Sequence, residues 1–356
     1  MKNFQPNGLP TLVGSFPLTD HLEAAELVLA HTPEIPLWIQ LPAFPEEGMT
    51  TQFLPGMPGL TASQDKLYIN TQDASFDEAQ LKFYNDYIAV TDGLTSLNDT
   101  SFIMTTDTAK GFFVLLDQLK NLSSPPVAVK GQITGPITFG TSVKDENDRA
   151  VFYNEQLRDM AVKLLALKAA WQVEQLSQFN LPVILFFDEP ALAGFGSSAF
   201  ISISREEVAA CFEEVIDAVH ARGALAGIHV CANTDWSLIL DSSADIVNFD
   251  AYSYFDKFIL YADQIKNFID SGRILAWGIV PTLGDETIAD ATAATLAADW
   301  EAKANQIIAL GIDKAQLLAQ SLITPSCGTG SLTLEQAKKV LQLTKDVSQE
   351  IRKRFI

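Results

Sequence analysis

Cysteine is scarce in this sequence, three residues in 356, and histidine is hardly commoner at four. So few thiols cannot build a disulfide framework, and the opening MKNFQPNGLPTL lacks the apolar core of a signal peptide, so the expected setting is reducing and cytoplasmic. No stretch approaches the roughly 18 uninterrupted apolar residues of a membrane span, which excludes helical insertion into a bilayer. Basic side chains are outnumbered, 24 Lys and Arg against 44 Asp and Glu, for a formal net charge of −20. That balance disfavours nucleic acid and anionic membrane as partners, because phosphate binding is largely electrostatic. Internal repeats, low-complexity tracts and linkers are absent too, so nothing divides the chain into two domains.

What is present is globular: 47% of residues are hydrophobic, ample for a sizeable core. From residue 125 onward, short β-rich runs alternate with helical patterns. The strand candidates are VAVKGQIT (127–134), VILFFDEP (183–190), LAGIHVCA (225–232), DIVNFDAY (245–252), RILAWGIVP (273–281) and QLLAQSLITPS (316–326). REEVAACFEEVIDAVHARG and ATAATLAADWEAKANQIIALG, apolar at i, i+3 and i+4 and ending in Gly, are helices between them, and 149–179 holds another. Upstream, TLVGSFP (11–17) and PLWIQLP (36–42) add two strands, with HLEAAELVLAHT as the helix between. Eight strands alternating with helices predict an α/β fold, a single-domain (β/α)8 TIM barrel over residues 1–356. Residues 43–75, rich in Pro and Gly and without periodicity, form a long loop insertion after strand two.

Barrels of this kind carry their chemistry at the C-terminal strand ends. Here those ends hold Ser15, Gln132, Thr134, Asp188, Glu189, His229, Cys231, Asp250 and Cys327. Residues i and i+2 of a strand share a side, so His229 and Cys231 face one way. Two thiolates and an imidazole suit zinc, Cys327 coming from another strand end, and three protein ligands with an exchangeable fourth position form the catalytic pattern. Asp250 is a candidate fourth ligand. The competing reading is a hydrogen-bonded core histidine beside an inert buried thiol. Of Asp188 and Glu189, adjacent on a strand, only one can face the barrel mouth, and the pair reads equally as a helix cap. Cys211 sits on a helix and reads as core packing. His21, His31 and His220 fall in helical patterns as surface or packing residues, while Trp38, Trp236 and Trp277 line a pocket or fill the core.

Several of these pieces together resemble the C-terminal, catalytic half of cobalamin-independent methionine synthases, within the wider uroporphyrinogen decarboxylase-like superfamily. LVGSFPLTD is similar to that family's I-G-S-F-P, GQITGPITFG to its T-G-P-V-T, and FFDEPALAGFG to its I-D-E-P-A-L. IHVCANTDW is similar to its H-x-C zinc motif, DIVNFDAY to D-V-I-T-I-E, and TPSCG to P-D-C-G. The resemblance spans about residues 10–350. It implies zinc held by His229, Cys231 and Cys327, with Asp250 at the family's ligating glutamate. It also implies that Ser15 and Asp188 hold the carboxylate and amine of homocysteine, Asp188 being the catalytic-site candidate. Glu46 or Glu47 stands for a further amino-acid-binding glutamate, and Gln132 joins the substrate-binding set.

Three departures bear on the methyl donor. Asp250 is one methylene shorter than glutamate, the family's histidine after strand seven is missing from AWGIVPTLGDET, and the duplicated N-terminal half of the long synthases has no counterpart here. An amine leaving group, as in methyl-tetrahydrofolate, needs a proton, from Asp285 or water if not from that histidine, whereas Co(I) leaves without one. The expectation is a zinc-dependent methyltransferase making methionine from homocysteine, with a methyl-corrinoid, carried on a corrinoid protein, preferred over methyl-tetrahydrofolate as donor. The alternatives are a methylcobamide:thiol methyltransferase acting on another thiol, a decarboxylase of the uroporphyrinogen type and a non-catalytic zinc-binding barrel. The decarboxylase calls for basic side chains at the mouth, yet Arg273, at the start of a strand, is the only arginine on one.

Overall fold

The computed structural model describes residues 4–63, 66–197, 200 and 202–355. Seven strands form one parallel sheet, β1 (Leu9–Pro10), β4 (Val129–Thr134), β5 (Val183–Asp188), β6 (Leu225–Val230), β7 (Ile246–Phe249), β8 (Ile274–Val280) and β9 (Ser321–Pro325). Their order is β1-β9-β8-β7-β6-β5-β4, and a separate antiparallel hairpin pairs β2 (Leu60–Ser63) with β3 (Lys66–Ile69).

The two sheet edges are joined by residues 36–40. Leu37 pairs with Lys130 on β4, and Gln40 pairs with Ser15 just past β1. The Lys130 N–H donates to Pro36 O at 2.9 Å, Gln40 N–H to Gly14 O at 2.9 Å, and Phe16 N–H to Gln40 O at 3.0 Å. This segment is the eighth stave, and the fold is the expected α/β barrel. The runs 11–17 and 36–42, expected as full strands, pair only at these isolated points. Pro10, Pro17, Pro36 and Pro42 supply no N–H to a continuous ladder. Gly14 leaves room for the Gln132 amide, because a Cβ would lie 2.1 Å from Gln132 Nε2.

A second correction concerns 316–326. Asp313 caps a helix, Lys314–Ala319, by accepting from Gln316 N–H, and only Ser321–Pro325 is strand. The insertion 43–75 also has more order than its composition suggests. It contains two short 3-10 turns, Pro45–Glu47 and Thr51–Phe53, and the β2–β3 hairpin, and Thr71 ties it to the carboxylate of Glu146. Among the described residues no helix is long and apolar enough to cross a membrane.

Strand alternation sorts the side chains into two layers. Leu185, Phe187, Val247, Leu275 and Ile323 face the surrounding helices and belong to the main core. Ile184, Phe186, Ile246, Ala276 and Leu322 form a smaller cluster inside the barrel. Continuing the inward rows upward reaches Asp188 on β5, His229 on β6, and Asn248 then Asp250 on and after β7.

Candidate metal centre at the barrel mouth

Parallel pairing places Thr134, Asp188, His229, Asn248 and Ala276 in one register row across five strands. Cys231 follows the end of β6 and Cys327 lies just past β9. One ring nitrogen of His229 and the sulfurs of Cys231 and Cys327 all lie within 4.8 Å of one another. His229 is buried and the cysteines are half-buried. Neither ring nitrogen of His229 has a hydrogen-bond partner of acceptable geometry, although the Cys231 sulfur lies close enough to act on it electrostatically. A buried unpaired polar group is unfavourable by about 1–3 kcal/mol, and a cation shared with the two sulfurs would relieve it. The donor set of one nitrogen and two sulfurs is one that zinc favours, so these residues fit that ion.

The two thiols influence one another through a shared hydrogen bond. The Cys327 thiol, with His229, brings Cys231 down to about 4, and that shared bond together with burial pushes Cys327 well up. Burial acts to lower His229, but the Cys231 sulfur and the Asp188 carboxylate outweigh it and raise the imidazole overall. Metal binding by this set requires deprotonated sulfurs and a neutral imidazole, so affinity there depends on pH.

Asp250 does not join this group in the structure. Its Oδ1 accepts from Ser253 N–H at 2.8 Å and caps the helix Ala251–Phe258. Burial raises its carboxyl against the pull of that bond.

Asp188 and Glu189 part company as adjacent strand residues must. Asp188 faces inward, with Oδ1 unpartnered and its carboxyl raised by burial. Glu189 faces away and caps the helix Pro136–Ser142, accepting from Ile137 N–H (2.8 Å), Thr138 N–H (2.8 Å) and Thr138 Oγ1 (2.6 Å). Burial pushes it up to about 7 against those bonds. The acidic pair does not cap the turn that follows it, Pro190–Gly194; Glu189 instead holds the start of the helix after β4.

Ser15 Oγ accepts from Gly330 N–H at 3.2 Å, and its carbonyl accepts from Thr329, so it clamps the loop that follows Cys327. Gln132 Nε2 donates to Trp38 O and Gln40 Oε1. Its Oε1 is left to Lys130 Nζ at 3.4 Å. Thr134 Oγ1 donates to the Met49 carbonyl. Glu46 is exposed, whereas both oxygens of buried Glu47 are engaged, by His21 Nε2 at 2.6 Å and Leu41 N–H at 2.9 Å. His21 is thus half of a buried hydrogen-bonded pair and not a surface residue.

Cys211 is buried, its thiol pushed up to about 12 by burial, in keeping with packing. Trp38, Trp236 and Trp277 fill the core between strands and helices. Two inward residues escaped the sequence reading. Lys130, fully buried over the Phe186 ring at 4.3 Å, is lowered to about 8 by burial, with Asp188 pulling the other way. Asn248 is fully buried beside His229. The signal for both was an inward polar position two residues before one already singled out, Gln132 or Asp250.

No family model matches this chain, and no curated protein does. Among solved structures, the barrel is similar to a B12-independent methionine synthase from Shewanella sp. W3-18-1, in complex with selenomethionine. The TM-score is 0.54 at 15% identity, over 97% of this chain and 98% of that one. The likeness is one of fold. A methyltransferase from Methanosarcina mazei matches at a TM-score of 0.49 and 14% identity, over 95% of this chain and 94% of that one.

Proposed function

We propose that the chain is a cytoplasmic, zinc-dependent enzyme that transfers a methyl group to the sulfur of homocysteine, giving methionine. The observation that carries this reading is the convergence of His229, Cys231 and Cys327 within 4.8 Å. Three donors leave a fourth position for a substrate sulfur. Zinc held there would supply the positive charge that keeps a thiol deprotonated at neutral pH.

The chain's own residues account for the rest of the acceptor. Asp188 offers an unpartnered, buried carboxylate oxygen to an ammonium group. Ser15 Oγ already accepts from Gly330 and keeps its hydroxyl proton to donate to a carboxylate. Gln132, committed to Trp38, Gln40 and Lys130, shapes the floor beneath. Glu47 serves the loop and not the ligand, since His21 and Leu41 occupy both its oxygens. Asp250, engaged by Ser253 N–H, is not among the residues that would hold the ion directly.

After β8 the buried hydroxyl of Thr282 is tied to Ser326 at 2.8 Å, and Asp285 is exposed and bonded to Gln336. None of the four histidines follows β8. This favours a donor whose leaving group needs no proton, a methyl-corrinoid on its carrier protein, over methyl-tetrahydrofolate. The Shewanella chain, matched over 98% of its length, is named as B12-independent, so barrel length does not enter the choice. A decarboxylase lacks support: Arg273 donates to the Leu240 and Ser242 carbonyls at the opposite end of its strand from the mouth.

The test supplies zinc-loaded protein with homocysteine and either methylcobalamin or methyl-tetrahydrofolate and measures methionine. Faster turnover with methylcobalamin is expected, and the reverse order overturns the donor preference. No methionine from either, with zinc coordination unchanged in X-ray absorption when homocysteine is added, overturns the enzyme reading in favour of a non-catalytic zinc-binding barrel.

A further inference from the structure

Three neighbouring side chains inside the barrel carry buried polar atoms without partners: Asp188 Oδ1, both ring nitrogens of His229, and Asn248 Oδ1. They stand on consecutive strands in one register row, Asp188 opposite His229 and His229 opposite Asn248. Asn248 is held firmly. Its amide nitrogen donates to Ala276 O and to Thr324 Oγ1, each at 2.9 Å. A backbone carbonyl only accepts, so the amide cannot be turned round, and the atom left over is the acceptor Oδ1.

The same row contains a matching donor. An imidazole that gives one nitrogen to a cation carries its proton on the other, and that N–H needs an acceptor to fix ring and tautomer. One ring nitrogen of His229 faces the two sulfurs. We propose that Asn248 is the positioning residue for His229, its Oδ1 accepting the N–H of the nitrogen turned away from the sulfurs when an ion is bound. The inference rests on the zinc reading above.

Asp188, on the other flank of His229, also has a free oxygen. It lies within the electrostatic reach of the Lys130 ammonium and has a proposed role toward the substrate amine, whereas no described residue partners Asn248 Oδ1. Asn248 also stands where the resembling family's D-V-I-T-I-E reads threonine, so the amide is this chain's own solution.

The test compares Asn248→Leu, Asn248→Asp and Asp188→Asn with the parent protein. It measures zinc affinity by chelator competition, the absorption spectrum of the Co(II)-loaded forms, and urea stability of the metal-free forms. Leucine and aspartate both remove the donor to Ala276 and Thr324, so both metal-free variants lose stability. Only leucine removes the acceptor. Asn248→Leu should therefore weaken zinc binding by about 10- to 100-fold and alter the Co(II) spectrum, while Asn248→Asp stays within about threefold of the parent. Asn248→Ala replaces leucine if that variant does not fold.

Parent-like zinc affinity in Asn248→Leu overturns the inference, as does an equal loss in Asn248→Asp or a loss confined to Asp188→Asn. A parent protein that binds no zinc overturns the metal reading itself and this inference with it. That outcome is distinct from tight parent binding that the leucine variant shares.

Discussion

A single methylene separates Asp250 from the glutamate that the resemblance places at the metal. The shorter side chain is turned onto Ser253 N–H, where it caps a helix. Asp250→Glu should extend the carboxylate to the ion and raise zinc affinity at least about tenfold, while loss of the cap lowers metal-free stability by about 1 kcal/mol. Chelator competition and urea unfolding read the two effects separately, and an affinity that does not rise refutes the geometry. Removing a sulfur is the opposite experiment: Cys327→Ser should purify with less than about a tenth of the parent's zinc, because the hard hydroxyl replaces a thiolate. Elemental analysis checks this. His220 supplies a pH effect remote from the site. Its 2.7 Å bond to Asp245 holds the imidazole above its ordinary value despite some burial. The stabilisation is therefore full below the ordinary histidine value and fades as pH rises through the higher folded one. With the ring about a third exposed, solvent screening limits the effect to about 0.5 kcal/mol. His220→Gln should lower the urea midpoint at pH 5.5 and approach the parent at pH 9.

At the scale of elements, the mouth is held by polar braces between neighbouring strand ends. Glu189, just past β5, caps the helix after β4, and Gly135 leaves room for it, since a Cβ there would lie 2.3 Å from the carboxylate. Gly135→Ala must displace the cap, and a loss of about 1–3 kcal/mol in urea unfolding is expected. An unchanged midpoint contradicts the brace. The same scale shows what the residue pattern revealed. Strands β4 to β8 were legible because their apolar runs are bounded by turn residues, and His229-x-Cys231 because alternation makes i and i+2 share a face. Residues 11–17 and 36–42 were placed correctly in the barrel but overread as strands, because tertiary closure lets two proline-bounded segments pair at single points. The β2–β3 hairpin stayed hidden because strands of four residues are too short to show a period. The His21–Glu47 pair and the orphaned Asn248 oxygen are contacts made in three dimensions, one across 26 residues of chain and the other across a strand interface, and no local pattern encodes either.

For the whole molecule, zinc is expected to act as a fold ligand. An ion that binds the native state alone stabilises it by RT ln(1 + [L]/Kd), about 4 kcal/mol at a thousandfold excess over Kd. Chelation should lower the melting temperature and zinc should restore it, whereas identical melting curves would deny native-state binding. Ser15, near the start of the chain, grips Gly330 near its end, directly beyond Cys327. This clasp sets an order on biosynthesis. A nascent polypeptide stalled on the ribosome before position 327 has the imidazole and one sulfur but neither the second sulfur nor the loop that Ser15 holds. High-affinity metal uptake is therefore expected only after residues 327–330 have been synthesised.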